Sequence, residues 1–287
     1  MSASKVAVVT GANKGVGYGI VEGLCKKFDG TIYLTARSEN RGKAALAKLK
    51  ELGFSPLFHQ LDITDQESVD RFKEYIKSRH DGLDLLVNNA AIKYIHQLDT
   101  EHNSSANATE LAVEEAEKTL EVNYYGTLRV CQALFPLLRN NARVVNISSA
   151  SGRLCNIPSA DLKAKFNDPN LTFEGVNKLM EKFIKDTKEN RAEQEGWGTA
   201  YIASKVGLTA LTFIQQRIFD KEVPNRNISI NAVHPGFVDT DMSEHKGNLT
   251  VEQGARAPLY TALEANLKGK YIWFDSKVVD WAASPSP

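Results

Sequence analysis

The sequence predicts an α/β fold, a doubly wound parallel sheet in a single domain, and three observations predict it. Short β-branched runs alternate with amphipathic stretches along the chain, the order that builds parallel strands joined by crossover helices. The runs Val6-Ala7-Val8-Val9 and Leu85-Leu86-Val87 are apolar at successive positions, as strands buried on both faces require. The first strand enters a glycine-rich turn, Gly11 to Gly17, and a helical pattern follows from Tyr18.

In chain order the expected strands are Val6 to Thr10, Thr31 to Ala36, Pro56 to Leu61, Leu83 to Asn88, Arg143 to Ser148, Ile228 to Val233 and Tyr271 to Phe274, with helices between them. Two segments break the rhythm: a polar stretch from Tyr94 to Glu110, and the interval from Ala150 to Gly198. Both follow strand C-termini, where open α/β sheets place ligands. Within the second, Val176, Leu179, Met180, Phe183, Ile184 and Thr187 recur at helical spacing, so an amphipathic helix packed on the body is expected. No repeat or Pro/Gly-rich linker divides the 287 residues. One domain over 1–287, with a helical insertion at about 150–198, is the expectation, and the tail Ala282 to Pro287 is expected to fray.

Composition narrows the function. Lys plus Arg and Asp plus Glu number 35 each, so no overall field draws the chain to nucleic acid or to an anionic membrane. The N-terminal apolar run is broken at Thr10 and Gly11, too soon for a signal peptide. Cys25, Cys131 and Cys155 lie far apart with no CxxC pair, which argues for reduced thiols and a cytoplasmic protein. A neutral small-molecule partner is expected.

A glycine-rich turn between first strand and first helix is a dinucleotide site of the Rossmann type, because the glycines let the main chain approach a pyrophosphate that the helix N-terminus favours. The bland alternative is a tight strand-to-helix turn. The second strand ends at Ala36-Arg37, where an NAD site would offer a carboxylate to the ribose hydroxyls. Arg37, with Lys14 and Arg41, suits a 2′-phosphate instead. NADPH is the expected cofactor, although each arginine alone would pass for a solvated surface residue.

The spacing of Thr10-Gly11 and Gly15-x-Gly17 resembles the short-chain dehydrogenase/reductase family. That resemblance implies cofactor contacts from Gly11, Asn13, Lys14, Gly15, Val16 and Gly17. It also implies them from Asp62 and Ile63 beyond the third strand, where Asp62 faces the adenine. Asn88-Asn89-Ala90-Ala91 resembles the family's NNAG, with Asn89 at the cofactor and Ala91 in place of glycine. His234-Pro235-Gly236-Phe237-Val238-Asp239-Thr240 resembles the segment after the sixth strand. It implies cofactor contacts from Pro235, Gly236, Val238 and Thr240, with Val238 and Thr240 meeting the carboxamide. His234 has no cysteine or histidine at ligand spacing, so a wall or packing role is expected and no metal.

Tyr201-Ile202-Ala203-Ser204-Lys205 places two functional side chains on one helix face. A free phenol has a pKa near ~10 and is a poor acid at neutral pH, and a neighbouring ammonium is expected to bring it down. In the family's terms Tyr201 donates the proton, Lys205 holds the nicotinamide ribose and perturbs Tyr201, and Ser149 binds the substrate carbonyl. Asn123 holds a water against the lysine. Taken singly, Ser149 reads as a strand-end cap, Asn123 as a mid-helix polar residue and YxxxK as a surface turn of helix; their order along the chain argues otherwise.

The resemblance runs from Lys5 to about Trp281 and looks most like the monomeric carbonyl reductases. Ser149 and Tyr201 stand 52 positions apart, and that added segment covers the surface other members use for assembly, so a monomer is implied. Phe237 stands where those relatives carry a larger aromatic and Ala150 is small, implying a wider pocket for the substrate held by Ser149 and Tyr201. The leading expectation is NADPH-dependent reduction of aldehydes, ketones or quinones. The alternatives are an alcohol-oxidising steroid or prostaglandin dehydrogenase using the same residues, and a non-catalytic NADPH-sensing module, against which the full set Asn123, Ser149, Tyr201 and Lys205 argues.

Overall fold

A computed structural model describes residues 4–94 and 105–283, with side chains from 108 onward in the second stretch. The greater part of the polar stretch from Tyr94 to Glu110 and the end of the tail lie outside the described residues. The strands are β1 (Lys5–Val9), β2 (Gly30–Ala36), β3 (Leu57–Gln60), β4 (Leu83–Asn88), β5 (Leu138–Ile147), β6 (Ser229–Val233), β7 (Tyr271–Ile272) and β8 (Val278–Val279). They form one sheet in the order β3-β2-β1-β4-β5-β6-β7-β8. All neighbouring pairs are parallel except β7 with β8.

The winding reverses between β1 and β4, which pair through Ala7–Leu85 and Val9–Val87. A crevice opens above their C-terminal ends at such a reversal. The full burial of Val6, Ala7, Val8 and Val9 bears out the reading of β1 as a central strand, covered by α1 (Gly15–Lys27), α2 (Glu39–Glu51) and α3 (Gln66–His80). α4 (Ser105–Leu120) passes through a π turn, Glu121–Gly126, into α5 (Thr127–Leu134). α6 (Ala160–Phe166) and α7 (Phe173–Lys188) precede the long α8 (Ala200–Asp220), and α9 (Val251–Leu263) closes the order.

Three boundaries depart from expectation by more than one residue. β5 begins at Leu138 rather than Arg143, because Leu83 already pairs with Leu138 before an irregularity between Leu83 and Leu85. β7 stops at Ile272, and the chain turns at Ser276 to lay β8 antiparallel beside it. β8 was not foreseen, since a two-residue strand carries no periodic signal. The first helix starts at Gly15 rather than Tyr18.

The amphipathic helix expected in the insertion is α7. Val176, Leu179, Met180, Phe183 and Thr187 are buried, whereas Ile184 is half-buried and Asp186 takes a place inside. α7 packs across α4 and α8, and Tyr124 of the π turn donates to Asn177 Oδ1 at 2.8 Å. Asp186 is 1 % exposed, paired to Lys182 and accepting from the Trp197 indole at 2.7 Å. Burial pushes its carboxyl up, but these donors outweigh that and leave its pKa below the ordinary value.

Candidate active site

The glycine-rich turn is built as a cradle at the switch point. Gly11 adopts φ +61, and a Cβ on it would stand 2.7 Å from Ala90 Cα. A Cβ on Gly17 would stand 2.3 Å from Asn89 Nδ2 and 2.9 Å from Gly11 O. Both positions therefore demand glycine, the first by its left-handed backbone and the second by close approach. Asn89 locks the turn to β4, donating from Nδ2 to the carbonyls of Thr10 and Gly11 at 2.9 and 3.1 Å. The Thr10 hydroxyl accepts the N–H groups of Asn89 and Ala90, each at 3.0 Å. Asn89 thus shapes the cradle through its side chain, a bracing part beyond the cofactor contact expected of it. Ala91 is absent from the positive-φ positions, so the methyl there needs no strained backbone.

Arg37 and Arg41 are exposed beyond the end of β2. The N-cap of α2 is Ser38, which accepts from Arg41 N, and Gln60 donates to Arg37 O. Neither guanidinium forms an ion pair among the described residues. Lys14 does: its Nζ lies 2.5 Å from Asp241 Oδ2, in the segment that follows β6. Asp62 accepts from Thr64 through both N and Oγ1, at 3.0 and 2.7 Å. The cap of α3 falls to Asp65, which frees Asp62 from its bland alternative. Ile63 is buried, its carbonyl bonded to Arg129. Among described residues, a crevice floored by glycines and flanked by two unpaired arginines fits a dinucleotide with a 2′-phosphate. Asn13, Gly15 and Val16 border that cradle, partly exposed.

A groove of about 730 Å³ between α1 and α9, walled by Tyr18, Lys26, Arg256 and Leu259, touches the turn at Asn13 to Gly15. It reaches none of Asn123, Ser149, Tyr201 or Lys205, so the chemistry lies elsewhere, above β4, β5 and β6.

Ser148 and Ser149 end β5 with opposite fates. Ser148 is 3 % exposed and hydrogen-bonds Thr209 at 2.8 Å. Ser149 is partly exposed, caps a short 3-10 turn by accepting from Ser151 N at 3.2 Å, and lies close enough to the Tyr201 phenol to lower its pKa. α8 carries Tyr201 and Lys205, and Thr199 caps it through a bond from Ile202 N. Lys205 is 2 % exposed; its Nζ donates to Ile147 O at 2.9 Å and stands 5.7 Å from the centre of the Tyr201 ring.

The acidity of the pair departs from expectation. Burial raises the Tyr201 phenol above its ordinary value, and the nearby Ser149 hydroxyl works in the opposite direction. Burial also pushes Lys205 down to about 8. The expected lowering by the ammonium does not dominate, because desolvation penalises both charged forms.

Asn123 sits in the π turn and its amide is fully engaged. Oδ1 accepts from Ile92 N at 2.8 Å, while Nδ2 donates to Ile92 O at 2.9 Å and to Ser204 Oγ at 3.1 Å. Its side chain therefore braces the segment after β4 against α8, while its main-chain carbonyl accepts from Thr127 Oγ1 at 3.1 Å.

Beyond β6, Pro235 and Gly236 turn the chain, and Gly236 adopts φ +93. Val238 turns its side chain inward, where a Cβ on Gly254 would stand 2.4 Å from Val238 Cγ2, so only its main chain is left for a cofactor. A Cβ on Gly15 would stand 3.3 Å from Thr240 Cγ2, which puts Thr240 beside the cradle. Phe237, Met242 and Phe274 are exposed apolar side chains on this rim, at 53 %, 38 % and 41 %. The Met242 sulfur lies 3.9 Å from the Tyr201 hydroxyl. Met242 was missed because nothing in its local sequence marks it; it sits in the short 3-10 turn Asp241–Ser243. His234 is buried against Trp273 at 4.4 Å between ring centres, as a wall residue.

Residues 5–160 and 190–249 match the family model described as short chain dehydrogenase. The interval between the two matched stretches contains α7. Carbonyl reductase (NADPH) 3 of Mus musculus is 43 % identical over 264 residues, covering 91 % of this chain and 92 % of its own. Carbonyl reductase (NADPH) 1 of Bos taurus is 40 % identical over 285 residues, covering 98 % and 99 %. Among solved structures, salutaridine reductase from Papaver somniferum superposes with a TM-score of 0.82 at 31 % identity, covering 93 % of this chain and 99 % of its own.

Proposed function

The chain belongs to the short chain dehydrogenase family, and from that premise we propose that it reduces aldehydes, ketones or quinones to alcohols with NADPH. The observation that carries the reading is the meeting of Ser149, Tyr201 and Lys205 at the C-terminal ends of β5 and β6, beside a cradle made for a dinucleotide. The reductases it resembles are named for the same cofactor and the same chemistry.

When bound, NADPH supplies a hydride to the carbonyl carbon. Gly11, Gly15 and Gly17 would hold its pyrophosphate, Arg37 and Arg41 its 2′-phosphate, and Asp62 its adenine side. Tyr201 donates its phenolic proton to the carbonyl oxygen, and the Ser149 hydroxyl holds that oxygen in place. Lys205 would hold the ribose hydroxyls, while Asn123 holds the segment at Ile92 and leaves its main-chain carbonyl for a water. Carbonyl, hydride and proton together make the alcohol, so charge and atoms balance. Phe237, Met242 and Phe274 form an apolar rim suited to an apolar substrate.

We place the protein in the cytosol as a monomer. No described helix is long and apolar enough to cross a membrane, Cys25, Cys131 and Cys155 are free, and α7 covers α4 and α8. The test is a steady-state screen of quinones, aldehydes, steroids and small ketones, each with NADPH and NADH. Turnover preferring NADPH is expected; no cofactor oxidation with any class would end the proposal.

A further inference from the structure

The peptide unit joining Ser149 to Ala150 is gripped at both ends. Its carbonyl accepts the Tyr271 hydroxyl at 2.5 Å and the Gly152 N–H at 2.7 Å. Its N–H donates to His234 Nδ1 at 3.0 Å. Tyr271 reaches across from β7 and His234 from the end of β6, so two neighbouring strands hold one peptide that follows β5.

Both grips are stiff. Tyr271 is 1 % exposed and pairs with Ala232 on one side and Val279 on the other. His234 packs its ring on Trp273 and donates its main-chain N–H to Ile272 O at 2.8 Å. An accepting Nδ1 places the ring proton on Nε2. Burial pushes His234 down to about 4, which keeps that acceptor through neutral pH. Trp281 adds a bond from its indole to Gly152 O at 2.5 Å, and Leu154 N donates to Trp281 O.

Ser149 needs such a frame because it leaves the sheet extended, at φ −163 and ψ 161, into a turn of only three residues. A hydroxyl displaced by about 1 Å from a reacting oxygen can forfeit on the order of a hundredfold in rate. We propose that Tyr271 and His234 are positioning residues for the reduction, aiming the Ser149 hydroxyl at the oxygen that Tyr201 protonates by fixing the Ser149–Ala150 peptide. The proposal rests on the reading of Ser149 and Tyr201 given above.

A mutant cycle tests it, read by steady-state and single-turnover oxidation of NADPH. Tyr271→Phe keeps the ring and leaves the Ser149 carbonyl still bonded to Gly152, so folding is preserved. It is expected to lower kcat by roughly three- to thirtyfold while NADPH affinity and carbonyl KM stay within about twofold. In a Ser149→Ala background the same change is expected to cost less than about twofold, since residues acting through one another are not additive. His234→Leu should behave like Tyr271→Phe, and His234→Asn, whose Oδ1 falls where Nδ1 stood, should recover most of the rate. Equal losses in both backgrounds, or no loss from Tyr271→Phe, would overturn the positioning role. A Ser149→Ala variant as fast as the unaltered protein would instead remove Ser149 from the reaction, a different failure.

Discussion

Lys14 Nζ and Asp241 Oδ2 stand 2.5 Å apart, and this pair ties the cradle to the segment that carries Met242 over Tyr201. Both side chains are largely exposed, so the pair contributes little energy and opens easily to a competing anion. Asp241→Asn frees Lys14 and removes a carboxylate from the phosphate side. Its expected effect is a few-fold tighter NADPH with NADH unchanged, measured by fluorescence titration; weaker NADPH binding would contradict that placement.

Arg37→Asp should weaken NADPH by about tenfold or more, the scale of losing a charge-assisted hydrogen bond. NADH lacks the 2′-phosphate and should bind within about twofold of its original affinity. Calorimetric titration of both cofactors decides the matter, and equal losses would dissociate Arg37 from the phosphate.

Tyr201→Phe should leave NADPH affinity intact and reduce turnover by roughly two orders of magnitude or more, the scale of general acid catalysis. Near-normal turnover would take the phenol out of the mechanism.

Lys205 provides a pH dependence with a definite sign. Burial sets its pKa at about 8, below its ordinary value of 10.5. Between these values the unfolded chain holds a proton that the folded chain has lost, so stability rises with pH in that window. Below it the folded protein bears a buried charge, and the benefit is absent. Lys205→Met should therefore raise the melting temperature of the cofactor-free protein near pH 7 and abolish the rise above pH 8. Thermal unfolding across that range checks both; a melting temperature that falls through the window would contradict the assignment.

On the proposed monomer, light scattering should find single chains, since α7 packs against α4 and α8. Trp197→Phe removes one donor from the buried Asp186 and should cost about 1–3 kcal/mol, visible as a lower unfolding midpoint. A stable tetramer in the unaltered protein would mean that α7 leaves an assembly face open.

Much of this was legible in the linear order. Gly11 to Gly17 announced the cradle because a left-handed turn and a close approach have one residue that suits them, and Tyr201 with Lys205 announced the helix face because 3.6 residues make a turn. The preference for Ser149 over Ser148 came from the resemblance alone; in the structure Ser149 is partly exposed while Ser148 is buried and bonded to Thr209. The inward turn of Val238 and the occupied amide of Asn123 were not legible, since each depends on a partner far along the chain, Gly254 in one case and Ile92 with Ser204 in the other.

Periodicity and residue type are local properties, and by themselves they determined the strand-helix alternation, the nucleotide-binding turn and the chemical identity of the reacting groups. Tertiary structure alone decided how those groups are held and charged. Hydrogen bonding and desolvation respond to distance in space, so Tyr271 could come to brace Ser149, and burial could bring Lys205 to about 8, without any mark in the order of residues.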